Sequence, residues 1–276
     1  MSILHAIILG FVQGASEFLP ISSSGHLVIF QQLMNVNLEA GPMVAFDVCL
    51  HMGTLIAVVA ALRVEVWMII KGLFDPTCST EETTGGFCTT LSRKLFLLII
   101  LGTIPAVIVG FSFKDFFEEL FSSRLAAGVA LLITGSILFA TRWAKVCNIK
   151  LARMKWFHAV VVGCAEALAI FPGISRSGAT ISTGMFCMLD RTLAAKYSFL
   201  LSIPAIAGAA VLQYKNLAYL SANHILPVII GTLVSAVVGY VCVKWIISLM
   251  RGNKFSLFAY YCWAVGLAVI VWSVLK

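Results

Sequence analysis

GFVQGASEFLPISSSGH, residues 10–26, starts as an apolar helix and breaks in its middle on Pro20 and three consecutive serines. The apolar region around it, 3–34, is therefore split into two arms of about half a membrane thickness around a polar centre of Glu17, Pro20, Ser22, Ser23, Ser24, Gly25 and His26. A second stretch, GCAEALAIFPGISRSGA at 163–179, does the same inside the region 157–190, with Glu166, Pro172, Gly173, Ser175, Arg176, Ser177 and Gly178 at its centre. Backbone broken at membrane depth survives only when it is buried in protein or lines a wet cavity. Both regions are thus expected to be re-entrant helix pairs. They are also copies of one another. A shift of 153 residues, without a gap, lays Gly10 on Gly163, Phe18 on Phe171, Ile21 on Ile174, Ser22 on Ser175, Ser24 on Ser177 and Gly25 on Gly178. The same shift puts Gln13 on Glu166 and Ser23 on Arg176.

The composition outside these stretches sets the class. Of 276 residues, 61% are hydrophobic and 11% charged, and the mean hydropathy is +1.01. A soluble domain carries about 25% charged residues. This chain cannot cover a globule with polar surface, which excludes soluble enzymes, disordered chains and fibrous proteins. Six stretches reach the roughly 20 apolar residues that a span needs: 43–62, 95–113, 125–141, 197–214, 225–247 and 257–275. The eight cysteines have no CxxC spacing and lie mostly in apolar runs, so they are expected to be small buried hydrophobes. The start, MSILHAIILGFVQ, lacks a basic n-region and runs straight into the polar motif, so no cleavable signal peptide is expected. The polar stretch 75–92 reads as a flexible cytoplasmic loop.

Each half then holds one re-entrant pair followed by three spans, and a weaker echo, GTIPAVIVG (102–110) against GTLVSAVVG (231–239), joins the halves further on. A re-entrant pair returns to its own side and three crossings are odd, so the second half enters from the opposite face, as in inverted repeats. The expected fold is an all-α polytopic membrane protein forming a single domain over 1–276. Its first repeat covers about 1–145 and its second about 155–276. Charge supports this order. The 142–156 segment carries Arg142, Lys145, Lys150, Arg153 and Lys155 without an acid, which marks it as cytoplasmic. Alternating from there places 14 of the 19 Lys and Arg inside and 4 outside, with Arg176 intramembrane and both termini outside.

A charged group at membrane depth costs about 2.5–3.5 kcal/mol on insertion scales, so Glu17, Glu166 and Arg176, with His26, are candidates for chemistry. Gln13 and Glu17, at i and i+4, share a helix face. After Pro20, the serines can cap a new helix and present hydroxyls and free N–H groups to an anion. The second break repeats this and adds a guanidinium, whose fork matches phosphate. Two helix N-termini, Ser22, Ser23, Ser24, Ser175, Ser177 and Arg176 thus suggest a phosphate or pyrophosphate cradle. Glu17 has the wrong sign for that task, and points to a divalent cation or a proton. Ser23 with His26 three residues on reads as a nucleophile and its base, or His26 as the activator of a water. Glu166 reads as a structural partner or a cap. Asp47 and His51, at i and i+4, read as packing or gating groups, and His5, His158 and His224 as interfacial. The aromatic end 258–272 reads as lipid-facing surface.

At these residues the chain resembles the undecaprenyl-diphosphate phosphatase family, the bacitracin-resistance type of integral membrane phosphatase. One family signature matches as Gln13, Glu17 and Phe18 to His26, the other as Pro172 to Thr180, and further similarity lies at 46–59, 102–110 and 197–209. Gln13 and Ser24 are mild departures, standing where Glu and Thr are common. The resemblance implies hydrolysis of the C55 polyprenyl diphosphate to the monophosphate, which recycles the lipid carrier for cell-wall polymers and underlies bacitracin resistance. It implies Glu17, Ser23, His26 and Arg176 as catalytic residues and Gln13, Ser175, Ser177 and Thr180 in supporting positions. It further implies a divalent cation (Mg or Ca) at Glu17 with help from Gln13, and a site facing the outside of the bacterial inner membrane. The partner is the polyprenyl diphosphate lipid and no nucleic acid; a homodimer is a candidate assembly. An inverted-repeat transporter or lipid flippase with an anion site is the competing class. A carrier needs the anion site but has no need of Ser23 and His26 beside it.

Overall fold

Two proline-marked breaks organise the architecture. A computed structural model describes residues 1–36, 40–74, 89–113, 124–144, 146–220, 222–252 and 254–275, and among them the structure is helical with no strand beyond one isolated bridge, Ile149 to Leu189. Helix α1 (Ile3–Phe18) is capped by the Ser2 side chain, which accepts from His5 N at 3.2 Å, and ends where Leu19 turns extended ahead of Pro20. Helix α2 (Ser23–Leu33) restarts the chain behind Ser22. Then follow α3 (Ala40–Ala61), α4 (Arg63–Phe74), α5 (Thr89–Ser112) and α6 (Arg124–Ala140). The second half runs α7 (Trp156–Leu168), α8 (Arg176–Phe186), α9 (Arg191–Leu212), α10 (Ala222–Met250) and α11 (Phe258–Leu275).

Among the described residues six helices are long and apolar enough to cross a membrane: 41–61, 90–112, 125–143, 191–212, 224–250 and 255–275. They coincide with the six expected spans, and two shorter apolar helices, α1 of 16 residues and α7 of 13, run into the breaks. Between 22% and 44% of each span is buried within the protein. The remaining faces carry large apolar side chains such as Leu97, Ile104, Val107, Leu233 and Val237. That distribution fits a multi-pass protein with hydrocarbon as its outer solvent.

Boundaries move where polar residues cap or continue a helix. The fourth span starts at Arg191, six residues before its expected start, because the Asp190 side chain caps it by accepting from Leu193 N at 3.1 Å. Helix α4 is an addition to the expected order. Its Glu65 accepts from Lys196 on α9 at 2.6 Å, and this charged helix continues α3 beyond its apolar part. Of the polar stretch 75–92, residues 75–88 lie outside the described residues, and 89–92 form the first turn of α5 rather than loop.

The halves lean on each other through matched contacts. Helix α1 packs on α10 and α7 on α5. In the first pair Gly10 lies against the Gly231 carbonyl, and in the second Gly163 lies against the Gly102 carbonyl; a Cβ at either glycine would collide with backbone. These four glycines are the ones the two sequence echoes equate. Close backbone approach over small residues is how helices associate in lipid, where apolar side chains gain little by leaving the hydrocarbon. Beneath the first break Phe18 meets Phe199 edge to face at 5.5 Å and 87°, both rings fully enclosed.

Candidate active site

The first break is held open by a strained residue. Ser22 sits at φ 68°, in the left-handed region that a non-glycine residue adopts at a cost of about 1–3 kcal/mol. There its side chain accepts from Gly25 N at 3.4 Å and starts α2. The second break turns on Gly173, at φ 93°, and Ser175 caps α8 by accepting from Gly178 N at 3.1 Å. Each cap hydroxyl pairs with the one two residues on, Ser22 with Ser24 at 3.4 Å and Ser175 with Ser177 at 3.3 Å. The sequence echo is thus an echo of local geometry.

The two breaks are stitched to each other. Gly173 N donates to Ser24 Oγ at 3.3 Å, and Ser177 Oγ donates to the Leu19 carbonyl at 3.1 Å. Thr134 on α6 steadies the second break by accepting from Ser175 N at 3.1 Å. Thr180 donates to the Arg176 carbonyl at 2.7 Å and meets Ser198 of α9 at 2.5 Å, so its hydroxyl braces α8. The start of α2 and the start of α8 are thus each hydrogen-bonded to the other break, Ser24 to Gly173 and Ser177 to Leu19.

Glu17 is the hub of this junction. Its Oε2 accepts from Ser23 Oγ at 2.6 Å and from Gln13 Nε2 at 3.0 Å. Its Oε1 accepts from Arg176 Nη2 in an ion pair across the two halves. His51 of α3 brings Nε2 to 3.7 Å from Oε2, while its Nδ1 donates to the Asp47 carbonyl at 2.8 Å. The Asp47 carboxylate accepts from Gln31 Nε2 at 2.9 Å. Glu17, Ser23, Arg176 and Gln13, expected together from sequence, meet here. His26 belongs to the same turn, but its ring is directed elsewhere: Nδ1 to the Ser22 carbonyl at 2.8 Å and Nε2 to the Tyr261 hydroxyl at 2.9 Å. Ser23 is therefore hydrogen-bonded to the carboxylate, not to His26.

Glu166 stands apart from these bonds. It is 3% exposed and both its oxygens lack a hydrogen-bond partner, as does Gln13 Oε1 at the position the repeat equates with it. His158 is buried within the protein as a cap of α7, with its Nδ1 accepting from Lys155 N at 2.9 Å. Sequence reasoning did not place Tyr261 or Thr134 at the site, and gave His51 only a packing or gating role. Tyr261 and Thr134 lie on apolar spans, and only the folded contact marks them.

Taken as chemistry, the junction offers a hydroxyl aimed at a carboxylate, a guanidinium, and two helix N-termini. That set can position an anion and accept a proton from the hydroxyl that attacks it. A hard divalent cation also has fitting donors: the Glu17 carboxylate and the buried, unpartnered Gln13 Oε1 are oxygen ligands of the kind such an ion takes, one carboxylate being usual where substrate phosphates complete the shell. Among the described residues no group of three or more His, Cys, Asp or Glu is placed to hold a metal by itself.

Comparison with known proteins agrees in kind. The family model described as bacitracin resistance protein BacA matches residues 6–268. The undecaprenyl-diphosphatase of Desulfatibacillum aliphaticivorans is 40% identical over 272 residues, covering 97% of this chain and 98% of that protein. The proteins of that name from Halothermothrix orenii and Methanosphaera stadtmanae are each 41% identical, over 273 and 278 residues, with 98% or more of both chains covered.

Proposed function

The chain belongs to the bacitracin resistance protein BacA family, and on that premise we propose that it is an undecaprenyl-diphosphatase whose reaction runs at the junction of its two breaks. The observation that carries this site is the sharing of Glu17 between Ser23 and Arg176. Only one hydroxyl of the three-serine run reaches the carboxylate, and it lies at the first position of α2, where the helix N-terminus favours an oxyanion.

The residues supply the following steps. Arg176 and the N-termini of α2 and α8 hold the diphosphate. Ser23 Oγ attacks the terminal phosphorus, its proton passes to Glu17 Oε2, and the bond from that phosphorus to the bridging oxygen breaks, releasing the lipid monophosphate. Water then attacks the phosphoserine, returns the serine hydroxyl and releases inorganic phosphate. The proton of that water passes to His26, one helical turn from Ser23, by way of the Tyr261 hydroxyl that its Nε2 meets. Gln13 keeps Glu17 in place from the turn before it. A bound Mg or Ca held by Glu17 and Gln13 would offset negative charge on the diphosphate. Ser24, Ser175, Ser177 and Thr180 hold the breaks in register rather than react.

We place the protein in a bacterial cytoplasmic membrane with the site opening outward, the two halves lying in opposite senses. The charge count and the exchanged Gly10–Gly231 and Gly163–Gly102 contacts support that arrangement. In this role the enzyme would recycle the lipid carrier of cell-wall synthesis and lower sensitivity to bacitracin. Purified protein in detergent, given undecaprenyl diphosphate, should release one phosphate per lipid and stop with EDTA. Absence of release with Mg and Ca both supplied would overturn the proposal.

A further inference from the structure

The geometry points to Tyr261 as a positioning residue that acts through His26, an inference that rests on the phosphatase reading. His26 is 5% exposed and makes two ring contacts. At Nδ1 the partner is the Ser22 carbonyl, 2.8 Å away. A carbonyl only accepts, so Nδ1 carries the hydrogen, and in the neutral ring Nε2 is the nitrogen with the lone pair. At Nε2 the partner is the Tyr261 hydroxyl at 2.9 Å, which therefore donates. The two rings are stacked, with centroids 5.7 Å apart and planes within 13° of parallel, so Tyr261 fixes the plane of the imidazole as well as its lone pair.

This contact reaches across the chain. Tyr261 lies on the last helix, 235 residues from His26, in a run that otherwise reads as lipid-facing surface. Its neighbour Cys262 is fully enclosed and directs Sγ at the Pro20 carbonyl, 3.4 Å away, so α11 lies against the first break itself. Tyr261 is 44% exposed, while the His26 ring that its hydroxyl meets is buried. A histidine that takes a proton at Nε2 needs that nitrogen unprotonated and correctly aimed before the reaction. Ser22 sets the first condition, and because the one lone pair of Nε2 meets the Tyr261 hydroxyl, the proton arrives through that hydroxyl, which gives its own to Nε2 and takes one from the attacking water. Once Nε2 is protonated the same hydroxyl turns to accept from it, so the contact holds in both states of the ring.

Two measurements test this. In the first, the Tyr261→Phe variant keeps the ring and loses the hydroxyl. Its kcat on undecaprenyl diphosphate should fall about ten-fold, the value of one neutral hydrogen bond, with KM within two-fold. In a His26→Ala background the same substitution should change kcat less than two-fold, because Tyr261 then has nothing to aim. Equal losses in both backgrounds would make Tyr261 merely structural and overturn the inference. In the second, nitrogen NMR of histidine-labelled protein at alkaline pH, assigned by loss of a signal in His26→Ala, reads the ring directly. The protonated nitrogen should be Nδ1, and the Nε2 resonance should move in Tyr261→Phe. Protonation at Nε2, or an unmoved resonance, would also overturn it. The NMR result stands without turnover. An inactive wild type with the expected resonances would refute the phosphatase reading and leave the Tyr261–His26 contact standing.

Discussion

Arg176 and Glu17 form an ion pair that ties the second break of the chain to the first, 159 residues earlier, and Glu17 spends its other oxygen on Ser23. The pair is therefore both a clasp between the halves and the frame in which one serine is selected from three. Arg176→Lys keeps the charge and loses the fork that a phosphate needs. The variant should fold and show kcat/KM lower by about two orders of magnitude in phosphate release. The double variant Arg176→Met with Glu17→Leu removes both charges together, and should be folded and inactive. Activity in that double variant would reduce the pair to scaffold.

The three serines should separate cleanly. Ser23→Ala removes the hydroxyl that donates to Glu17 and should leave only background hydrolysis. Ser22→Ala removes a cap and should cost about 1 kcal/mol of stability, read as a lower melting temperature, while most activity survives. Ser22 and Ser24 do not reach the carboxylate, so neither should rescue the Ser23 variant.

Glycine contacts between the halves predict matched damage. Gly10→Ala and Gly163→Ala each push a methyl group into a carbonyl of the partner helix, at Gly231 and Gly102 respectively. Overpacking of this kind costs about 1–3 kcal/mol. Thermal unfolding in detergent should show both variants destabilised to a similar extent. Gly208→Ala, whose added carbon meets nothing within 4 Å, should be as stable as the parent.

Much of this was readable in the sequence because lipid makes harsh demands. A span must be apolar for its whole length, and a break must be built from proline, glycine and hydroxyl residues, so both announce themselves. The copy at a spacing of 153 residues then placed Ser22 with Ser175 and Ser24 with Ser177, and the paired caps follow it. What the sequence hid are the contacts set by tertiary approach. Tyr261 sits in an aromatic run that looks like membrane surface, and His51 on a span that looks like packing; only the closeness of α11 and α3 to α1 and α2 brings them in. Helix α4 escaped because Arg63, Glu65 and Lys71 interrupt its apolar pattern, and its anchor, Lys196, lies 131 residues away.

Orientation is open to chemical labelling. In a background cleared of native cysteines, Lys150→Cys should be shielded from an impermeant thiol reagent in intact cells and become reactive on lysis. Lys215→Cys, exposed in the short helix Tyr214–Tyr219, should react at once. The reverse pattern would invert the chain and place the site on the cytoplasmic face.

The central claim, that the two breaks build one phosphoryl-transfer centre on Ser23, is tested most directly by the fate of a chiral phosphorus. Undecaprenyl diphosphate carrying a terminal phosphorothioate made stereogenic by one heavy oxygen isotope, hydrolysed in water enriched in a different oxygen isotope, yields a chiral thiophosphate. Two successive displacements, first by Ser23 and then by water, predict overall retention. Inversion would mean a single attack by water, and would contradict Ser23 as the nucleophile.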